Sequence, residues 1–210
     1  MRTIQDFYFK KAKGESYLAR SVYKLEEIDR RHGLVKKGIA VLDIGCAPGS
    51  WCQYILKKIG YGSVTGVDLK EKVDIRDGRF RYVKGDILAL EPRDLVRGDP
   101  TRGAQNAAHA SRDPRFDLIT SDAAPDTSGN RFVDGERSLA IVRRVFELAR
   151  DTLKPGGAVV AKVFQGEDVK PFVDGLRPEY GNVSLSKPRS SRKESREIYI
   201  VARERRARSD

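Results

Sequence analysis

The stretch IAVLDIGCAPGSW, residues 39–51, decides the fold. Its first seven residues form an apolar run of strand length that ends in glycine, which is typical of a strand buried on both faces. Gly45 and Gly49 allow close approach of the backbone, and Pro48 can start a helix, which is predicted over about 49–59. A strand, a glycine turn and a helix in this order predict a sheet with a ligand-binding edge.

Six further strand patterns follow, over 62–69, 79–87, 115–122, 157–164, 181–187 and 196–203. Apolar residues at helical spacing predict helices over 16–32, which Gly33 should end, over 134–153 and over about 168–177. Alternating strands and helices indicate a mostly parallel α/β sheet. The last two strands have no helix between them, so one of them should run antiparallel. Residues 97–114 lack periodicity and are predicted to form a surface loop or a weak helix.

The length of 210 residues suits one domain, expected over 1–210, with a basic N-terminal arm (about 1–15) and a flexible basic tail (about 203–210). The chain has neither an apolar run long enough to cross a bilayer nor the apolar stretch of a signal peptide, so we expect a cytoplasmic protein. Cys46 and Cys52 form no CxxC pair, and we expect no disulfide and no metal. A monomer is also expected.

The net charge of +11 lies mostly at the two ends of the chain. Residues 1–40 and residues 187–210 each carry +5, whereas the residues between them carry +1. Cationic flanks on a nearly neutral core favour a polyanionic partner, most simply nucleic acid.

Acidic residues follow three of the predicted parallel strands, at Asp68, Asp86 and Asp122. The carboxyl ends of such strands share one edge of the sheet, where ligands bind. The glycine turn lacks the GxGxxG pattern of dinucleotide folds and the GK[ST] pattern of P-loops. Asp68 follows Gly45 at a distance suited to a carboxylate that binds ribose hydroxyls. An adenosine-containing ligand without pyrophosphate fits this pattern, and S-adenosylmethionine is the common one.

Lys162 interrupts GAVVAKVF (157–164), a strand otherwise suited to full burial. A buried ammonium is unfavourable unless it is paired, and Asp122 ends a strand of the same sheet. Glu197 begins the last strand, and Lys24 lies on the first predicted helix. If the four converge, they form a cluster of two cations and two anions that suits proton handling better than stability. The alternative is that Lys162 points to water at the exit of its strand.

The sequence closely resembles the FtsJ/RrmJ-type ribose 2′-O-methyltransferases over about residues 15–203. Seven segments in the family's order carry this resemblance: RSVYKLEEI (20–28), LDIGCAPGSWCQY (42–54), GVDLKE (66–71), KGDI (84–87), SDAAPDTSG (121–129), GGAVVAKVFQGE (156–167) and SRKESREIYIVA (191–202). The chain departs from the family at Asp126, where members often have Asn. This carboxylate could change local pKa values or the approach of an RNA phosphate.

The resemblance implies a Rossmann-like class I S-adenosylmethionine-dependent methyltransferase fold, with seven strands, one of them antiparallel, and helices on both faces. It implies a catalytic tetrad of Lys24, Asp122, Lys162 and Glu197. With Gly45 from the glycine turn, the predicted S-adenosylmethionine site comprises Gly45, Gly49, Trp51, Asp68, Asp86 and Asp122. Lys162 would take the proton of a ribose hydroxyl or orient that hydroxyl.

The resemblance further implies RNA as the substrate, and a uridine of large-subunit (23S-type) ribosomal RNA is the usual target of compact members. Methylation of a tRNA anticodon loop and a non-catalytic role in ribosome assembly are the alternatives. The intact tetrad argues against the second alternative. RNA phosphates are expected to meet some of the basic residues near the two ends: Lys10, Lys11, Lys13, Arg20, Arg189, Arg192, Lys193 and Arg196.

Overall fold

The computed structural model describes residues 4–70, 72–96, 115–192 and 194–207. The helices are α1 (Ile4–Gly14), α2 (Val22–His32), α3 (Ser50–Ile59), α4 (Pro92–Val96), α5 (Arg131–Thr152) and α6 (Val169–Leu176). The strands are β1 (Ala40–Ile44), β2 (Ser63–Asp68), β3 (Phe80–Lys84), β4 (Phe116–Ser121), β5 (Leu153–Phe164), β6 (Tyr180–Ser186) and β7 (Glu197–Arg205). The segment 97–114, predicted as a loop or weak helix, lies outside the described residues.

The strands form one seven-stranded sheet in the order β3-β2-β1-β4-β5-β7-β6. β1 to β5 pair in parallel, whereas β7 lies between β5 and β6 and is antiparallel to both. The prediction of one antiparallel strand is therefore confirmed. The strand order reverses at β1, whose neighbours are β2 and β4, so the cleft at the carboxyl ends of these strands is where a ligand is expected.

Helices cover both faces of the sheet because successive strand residues point to opposite sides. Leu42 and Ile44 of β1 join the apolar cluster under α4, α5 and α6. Val41, next to them, joins the cluster under α2 and α3. This alternation explains why β1 is apolar at almost every position.

The N-terminal region differs from the sequence expectation. The predicted helix 16–32 begins only at Val22, since Ser16 adopts a left-handed backbone with φ of 61° and Leu18 is exposed. The predicted basic arm contains α1, whose Ala12 is buried against Val22 and Tyr23. The predicted helix end is confirmed, because Gly33 has a φ of 63° and donates its N–H to the carbonyl of Asp29.

The C-terminal tail also differs from the expectation of flexibility from about residue 203. β7 continues to Arg205, which is buried, and pairs there with Tyr180 of β6. The side chain of Arg205 donates to the carbonyls of Arg150 and Leu153, where α5 ends and β5 begins. These acceptors explain why a sequence as polar as RER, residues 203–205, remains in the sheet.

Candidate active site

The glycine turn after β1 is built for close packing against the segment after β4. Gly45 has a φ of 71°, and a Cβ atom there would lie 2.6 Å from the Cα of Ala123. Its N–H donates to the carbonyl of Val67 at 2.8 Å. No side chain can be accommodated at this position, so the turn stays open toward the cleft beside it.

A cleft of about 640 Å³ lies at the carboxyl ends of β1, β2, β3 and β4. Four of the residues predicted to bind the cofactor line it: Gly45, Asp68, Asp86 and Asp122. Apolar side chains complete its walls: Leu69, Ile87, Leu88, Ala140 and Ile141. The cleft thus combines carboxylate oxygens with an apolar surface, as small-molecule sites commonly do.

Two of the carboxylates in the cleft also hold its loops in place. Asp68 accepts the N–H of Ala47 at 2.8 Å through Oδ2 and the N–H of Lys70 at 3.1 Å through Oδ1. Asp86 accepts the N–H of Leu88 at 3.0 Å. A carboxylate has about four acceptor positions, so both groups keep capacity for ligand hydroxyls.

Gly49 and Trp51 do not line this cleft. Gly49 precedes α3 with a φ of 117°, and a Cβ atom there would lie 2.8 Å from Cγ1 of Val73. Trp51 is buried, and its indole N–H donates to the carbonyl of Ser21 at 2.8 Å. These contacts fix the glycine turn before α3 and the start of α2. Direct contact of Gly49 or Trp51 with a cofactor stays a prediction.

Two ion pairs gather the four residues of the predicted tetrad. Nζ of Lys162 lies 3.1 Å from Oδ1 of Asp122, and Nζ of Lys24 lies 2.6 Å from Oε1 of Glu197. Lys162 also donates to the main-chain carbonyl of Asp122. The Lys162 side chain is only 10% exposed, which rules out the alternative that it points into open water.

The register of the sheet explains why these residues lie on one face. Lys162 of β5 pairs directly with Tyr199 of β7, and Phe164 pairs with Glu197. Residues two apart on a strand share a face, so Lys162, Tyr199 and Glu197 point to the same side. α2 packs on that side and brings Lys24 to Glu197.

The two ion pairs influence each other, because both lysine charges act on the Glu197 carboxyl. Burial is the largest single influence and raises the pKa of the Glu197 carboxyl, but the charge and hydrogen bond of Lys24 oppose it, together with the side chain of Ser191. The charge of Lys162 acts in the same direction, and the pKa of Glu197 is lower than its usual value. Glu197 is therefore ionised at neutral pH and holds Lys24 in place.

Tyr199 also belongs to the cluster around Asp122, although no sequence motif predicts it there. It is fully buried, and its hydroxyl donates to Oδ1 of Asp122 at 2.8 Å. Burial raises the pKa of Tyr199 well above its usual value, so the hydroxyl stays protonated and remains a donor. Its position two residues after Glu197 on one strand was the available signal, but a buried tyrosine in a strand is otherwise unremarkable.

Asp126, the residue that departs from the family pattern, is exposed and lies on the wall of the same cleft. Arg137 of α5 lines that wall as well. The departure therefore adds an exposed carboxylate to the cleft that Asp122 also lines.

The basic residues predicted to meet RNA have different surroundings. Four of them are exposed: Lys10, Lys13, Arg189 and Arg192. Lys11 lies 3.8 Å from Glu15 and above the ring of Tyr23, and Arg20 is half-buried. Arg196 donates to the main-chain carbonyls of Arg131 and Gln165, so its guanidinium has a structural role. Lys193 lies outside the described residues.

Among the described residues there is no group of three or more His, Cys, Asp or Glu side chains arranged to hold a metal ion. The helices in this part of the chain are also all too short or too polar to span a membrane. Cys46 and Cys52 are buried free thiols.

Comparison with known proteins gives a consistent result. Residues 17–205 match the model of the family described as FtsJ-like methyltransferase. A curated relative from Desulfosudis oleivorans, named ribosomal RNA large subunit methyltransferase E, is 41% identical over 95% of this chain and 90% of its own length. A relative of the same name from Brachyspira hyodysenteriae is 40% identical over 97% of both chains.

A solved structure supports the same relationship. The crystal structure of a Plasmodium falciparum protein, described as a ribosomal RNA methyltransferase, superposes with a TM-score of 0.75 at 28% identity. The match covers 91% of this chain and all of that one. The family model covers most of the sequence, and the tetrad lies beside a cleft at the expected edge of the sheet. The chain therefore belongs to the FtsJ-like methyltransferase family and is a methyltransferase.

Proposed function

We propose that the protein transfers a methyl group from S-adenosylmethionine to a ribose 2′-hydroxyl of ribosomal RNA from the large subunit. The observation that carries the proposal is the buried Lys162–Asp122 pair beside the cleft, with the Lys24–Glu197 pair on the same face of the sheet. Such an arrangement of charges contributes little to stability but suits proton handling.

The residues of the cleft fit S-adenosylmethionine. Asp68 and Asp86 keep free acceptor positions for ribose hydroxyls, and Leu69, Ile87 and Leu88 offer an apolar surface for an adenine ring. The volume of about 640 Å³ lies within the range of sites for ligands of this size. When bound, S-adenosylmethionine would supply an electrophilic methyl group on its sulfonium sulfur.

Lys162 would hold or orient the reacting hydroxyl. Asp122 accepts two of the three N–H groups of the Lys162 ammonium, one at its carboxylate and one at its main-chain carbonyl. The third can point at a substrate oxygen, and when Nζ is neutral its lone pair can accept the hydroxyl proton. Tyr199 keeps the Asp122 carboxylate in position by donating to it. Lys24 and Glu197 would bind the substrate ribose nearby.

Large-subunit ribosomal RNA is the favoured substrate for two reasons. The curated relatives that match nearly the whole chain are named ribosomal RNA large subunit methyltransferase E. The positive charge of the chain also suits a polyanion. The target nucleotide is expected to be a uridine, and an enzyme of ribosomal RNA would work in the cytoplasm.

We also infer that residues 1–210 act as one domain and as a monomer. Lys24, near the start of the chain, pairs with Glu197, near its end, and one chain supplies all four residues of the tetrad. Light scattering of the purified protein should give the monomer mass. A dimer would overturn this inference without affecting the proposed chemistry.

The proposed function is tested by incubating the protein with labelled S-adenosylmethionine and either large ribosomal subunits or bulk tRNA, and then mapping the product. Large subunits should be labelled at a single 2′-hydroxyl. Label in tRNA alone would assign the activity to the other substrate class. Label in neither, with S-adenosylmethionine bound, would favour the non-catalytic role.

Replacement of Lys162 by alanine should abolish methylation, with a loss of at least about 10²-fold, the lower end of what positioned acid–base groups contribute. Affinity for S-adenosylmethionine, measured by calorimetry, should change little. Lys170→Ala is the control, because that lysine pairs with Asp174 on the exposed surface of α6. Full activity of Lys162→Ala would rule out the mechanism.

A further inference from the structure

The loop between β6 and β7, residues 187–196, is strongly basic, and several of its described residues are held by hydrogen bonds. It contains five Lys or Arg residues and one Glu. Lys187 donates to the carbonyl of Ser195 at 3.0 Å, which closes the loop at its base. Ser190 is 4% exposed, whereas Arg189 and Arg192 are exposed. The loop is thus buried at Pro188, Ser190 and Ser191, while Arg189 and Arg192 face solvent.

Glu27 of α2 holds the first part of this loop. Its Oε2 accepts the main-chain N–H of Arg189 at 2.7 Å, and its Oε1 accepts that of Ser190 at 3.0 Å. Hydrogen bonds to an ionised acceptor are roughly twice as strong as neutral ones. Two such bonds from one carboxylate fix both the position and the orientation of the loop backbone.

The same turn of α2 holds the other end of the loop. Lys24 and Glu27 are three residues apart and therefore neighbours on the helix surface. Lys24 pairs with Glu197, the residue that directly follows the loop. One helical turn thus holds residues 189–190 of the loop and residue 197, which directly follows it. The geometry of the loop is thereby tied to the ion pair of the active site.

Helix α1 packs against α2, the helix that holds the loop, and the ring centroids of Tyr8 on α1 and Tyr23 on α2 lie 5.3 Å apart. Burial raises the pKa of Tyr8 on α1, and the charges of Glu27 and Arg189 also act on this hydroxyl. Lys10 and Lys13 of α1 are exposed as well and add further positive charge near the start of the chain. The surface formed by α1 and the loop suits a chain of phosphates.

We propose that Glu27 is a positioning residue for RNA binding, which holds loop 187–196 against α2 so that Arg189 and Arg192 contact phosphates next to the target nucleotide. This inference rests on the proposed function, because it needs RNA as the substrate. Within the described part of the chain, the two guanidinium groups form no ion pair, so they are available to a phosphate. Fixing them before binding reduces the entropy that is lost when RNA binds.

The test compares Glu27→Gln with Glu26→Gln. Both substitutions remove one negative charge from adjacent positions of α2, but only Glu27 bonds to the loop. A general electrostatic effect would be equal in the two variants and would strengthen RNA binding. Loss of loop positioning would weaken RNA binding, and only in Glu27→Gln.

Hydrogen exchange measures the loop contacts directly. The amides of Arg189 and Ser190 should be protected in the unmodified protein and in Glu26→Gln, and should exchange faster in Glu27→Gln. Equal protection in all three proteins would overturn the positioning role. Thermal unfolding of each variant shows whether the rest of the fold is intact.

RNA binding is measured against salt concentration with a transcript of large-subunit ribosomal RNA. Each phosphate contact contributes about 0.7–0.9 to the slope of log affinity against log salt, so Glu27→Gln should lower the slope by about 1–2. KM should rise while kcat changes little, because the loop binds RNA and does not touch the reacting atoms. A fall in kcat with an unchanged salt slope would indicate a merely structural role and contradict the proposal.

The double variant Arg189→Gln/Arg192→Gln provides an independent test. It should lower the salt slope by the same about 1–2 while amide protection at residues 189 and 190 persists. An unchanged slope would overturn the proposed phosphate contacts. These measurements need no methyl transfer. If the unmodified protein methylates neither ribosomal RNA nor tRNA, the proposed function fails. If Glu27→Gln methylates RNA normally and keeps the salt slope of the unmodified protein, only the positioning role of Glu27 fails.

Discussion

Asp43 is a buried carboxyl group in the middle of β1. Its Oδ1 accepts the hydroxyl of Thr120 at 2.7 Å, and its Oδ2 accepts the thiol of Cys52 at 3.1 Å. Burial raises the pKa of Asp43 to about 7, although both hydrogen bonds act in the opposite direction. The folded protein therefore keeps a proton on Asp43 at pH values where the unfolded chain has lost it.

This difference makes stability depend on pH. Because the pKa is raised in the folded state, the contribution of Asp43 is fully present below its unfolded pKa and is lost as pH rises toward about 7. From pH 5 to pH 8, the loss is about 2–3 kcal/mol, obtained from about 1.36 kcal/mol per pKa unit. Asp43→Asn cannot ionise, so its free energy of unfolding relative to the unmodified protein should rise by that amount over this range.

Urea unfolding at several pH values measures the effect. Asp174→Asn is the control, because hydrogen bonds from Lys170 and Arg177 lower the pKa of Asp174 on the surface. Both its folded and its unfolded forms are ionised from pH 5 to pH 8, so this variant should show no trend. A flat difference for Asp43→Asn as well would show that the carboxyl ionises normally.

At the scale of single residues, the sequence indicates a functional side chain where a charged residue interrupts an apolar strand. Lys162 interrupts an apolar strand, and the need for a partner points to Asp122, Glu197 and Lys24. The resemblance to the family then implies that these four residues form a catalytic tetrad. Asp43 interrupts an apolar strand in the same way, but no partner within a few residues marks it. Its partner Thr120 is distant in sequence and becomes a neighbour only through the pairing of β1 with β4.

Among the elements, β7 depends on an arginine that bonds to the end of a helix. Arg205 is buried, and its side chain donates to the carbonyls of Arg150 and Leu153. The last carbonyls of a helix lack partners within the helix, and a cation there is favourable. The contact fastens the end of the strand to the junction of α5 and β5.

Replacement of Arg205 by methionine should lower the free energy of unfolding by about 2–3 kcal/mol, because one buried and one partly buried carbonyl lose a charged donor. Arg206→Met is the control, since Arg206 is exposed and donates to a surface carbonyl, that of Pro178. Its effect should stay within about 0.5 kcal/mol. Equal losses for the two variants in denaturant unfolding would contradict a special role for Arg205.

The elements themselves were well predicted where apolar periodicity determines them. All seven strands and the core of α5 agree with the sequence patterns to within a few residues. The ends of the chain were less predictable. The polar residues RERR give no sign that the carbonyls of Arg150 and Leu153 accept hydrogen bonds from Arg205. At the other end, α1 depends on packing of Ala12 against α2, which no local pattern predicts.

For the whole molecule, the uneven charge should control affinity for RNA. Two ends of +5 each flank a middle of +1. If about four of the basic residues contact phosphates, affinity should fall about 50- to 150-fold between about 50 and 200 mM salt. Binding of S-adenosylmethionine, a small ligand in a cleft, should change less than about twofold over the same range.

Filter binding with a ribosomal RNA transcript, and calorimetry with S-adenosylmethionine, measure the two affinities in the same buffers. An RNA affinity that hardly changes with salt would show that phosphate contacts are not its main source. Such a result would indicate that contacts with RNA bases in the active site supply most of the affinity.

The position of β7 in the sheet has a consequence for synthesis of the protein. β7 follows the other described strands in sequence, yet it lies between β5 and β6 and supplies Glu197 and Tyr199. Until it emerges from the ribosome, β5 has no partner on that side, and Lys24 and Asp122 lack these two neighbours. A nascent chain can therefore pair β1 to β5 before Glu197 and Tyr199 are in place, and we expect it to gain activity toward RNA only when this last strand is inserted.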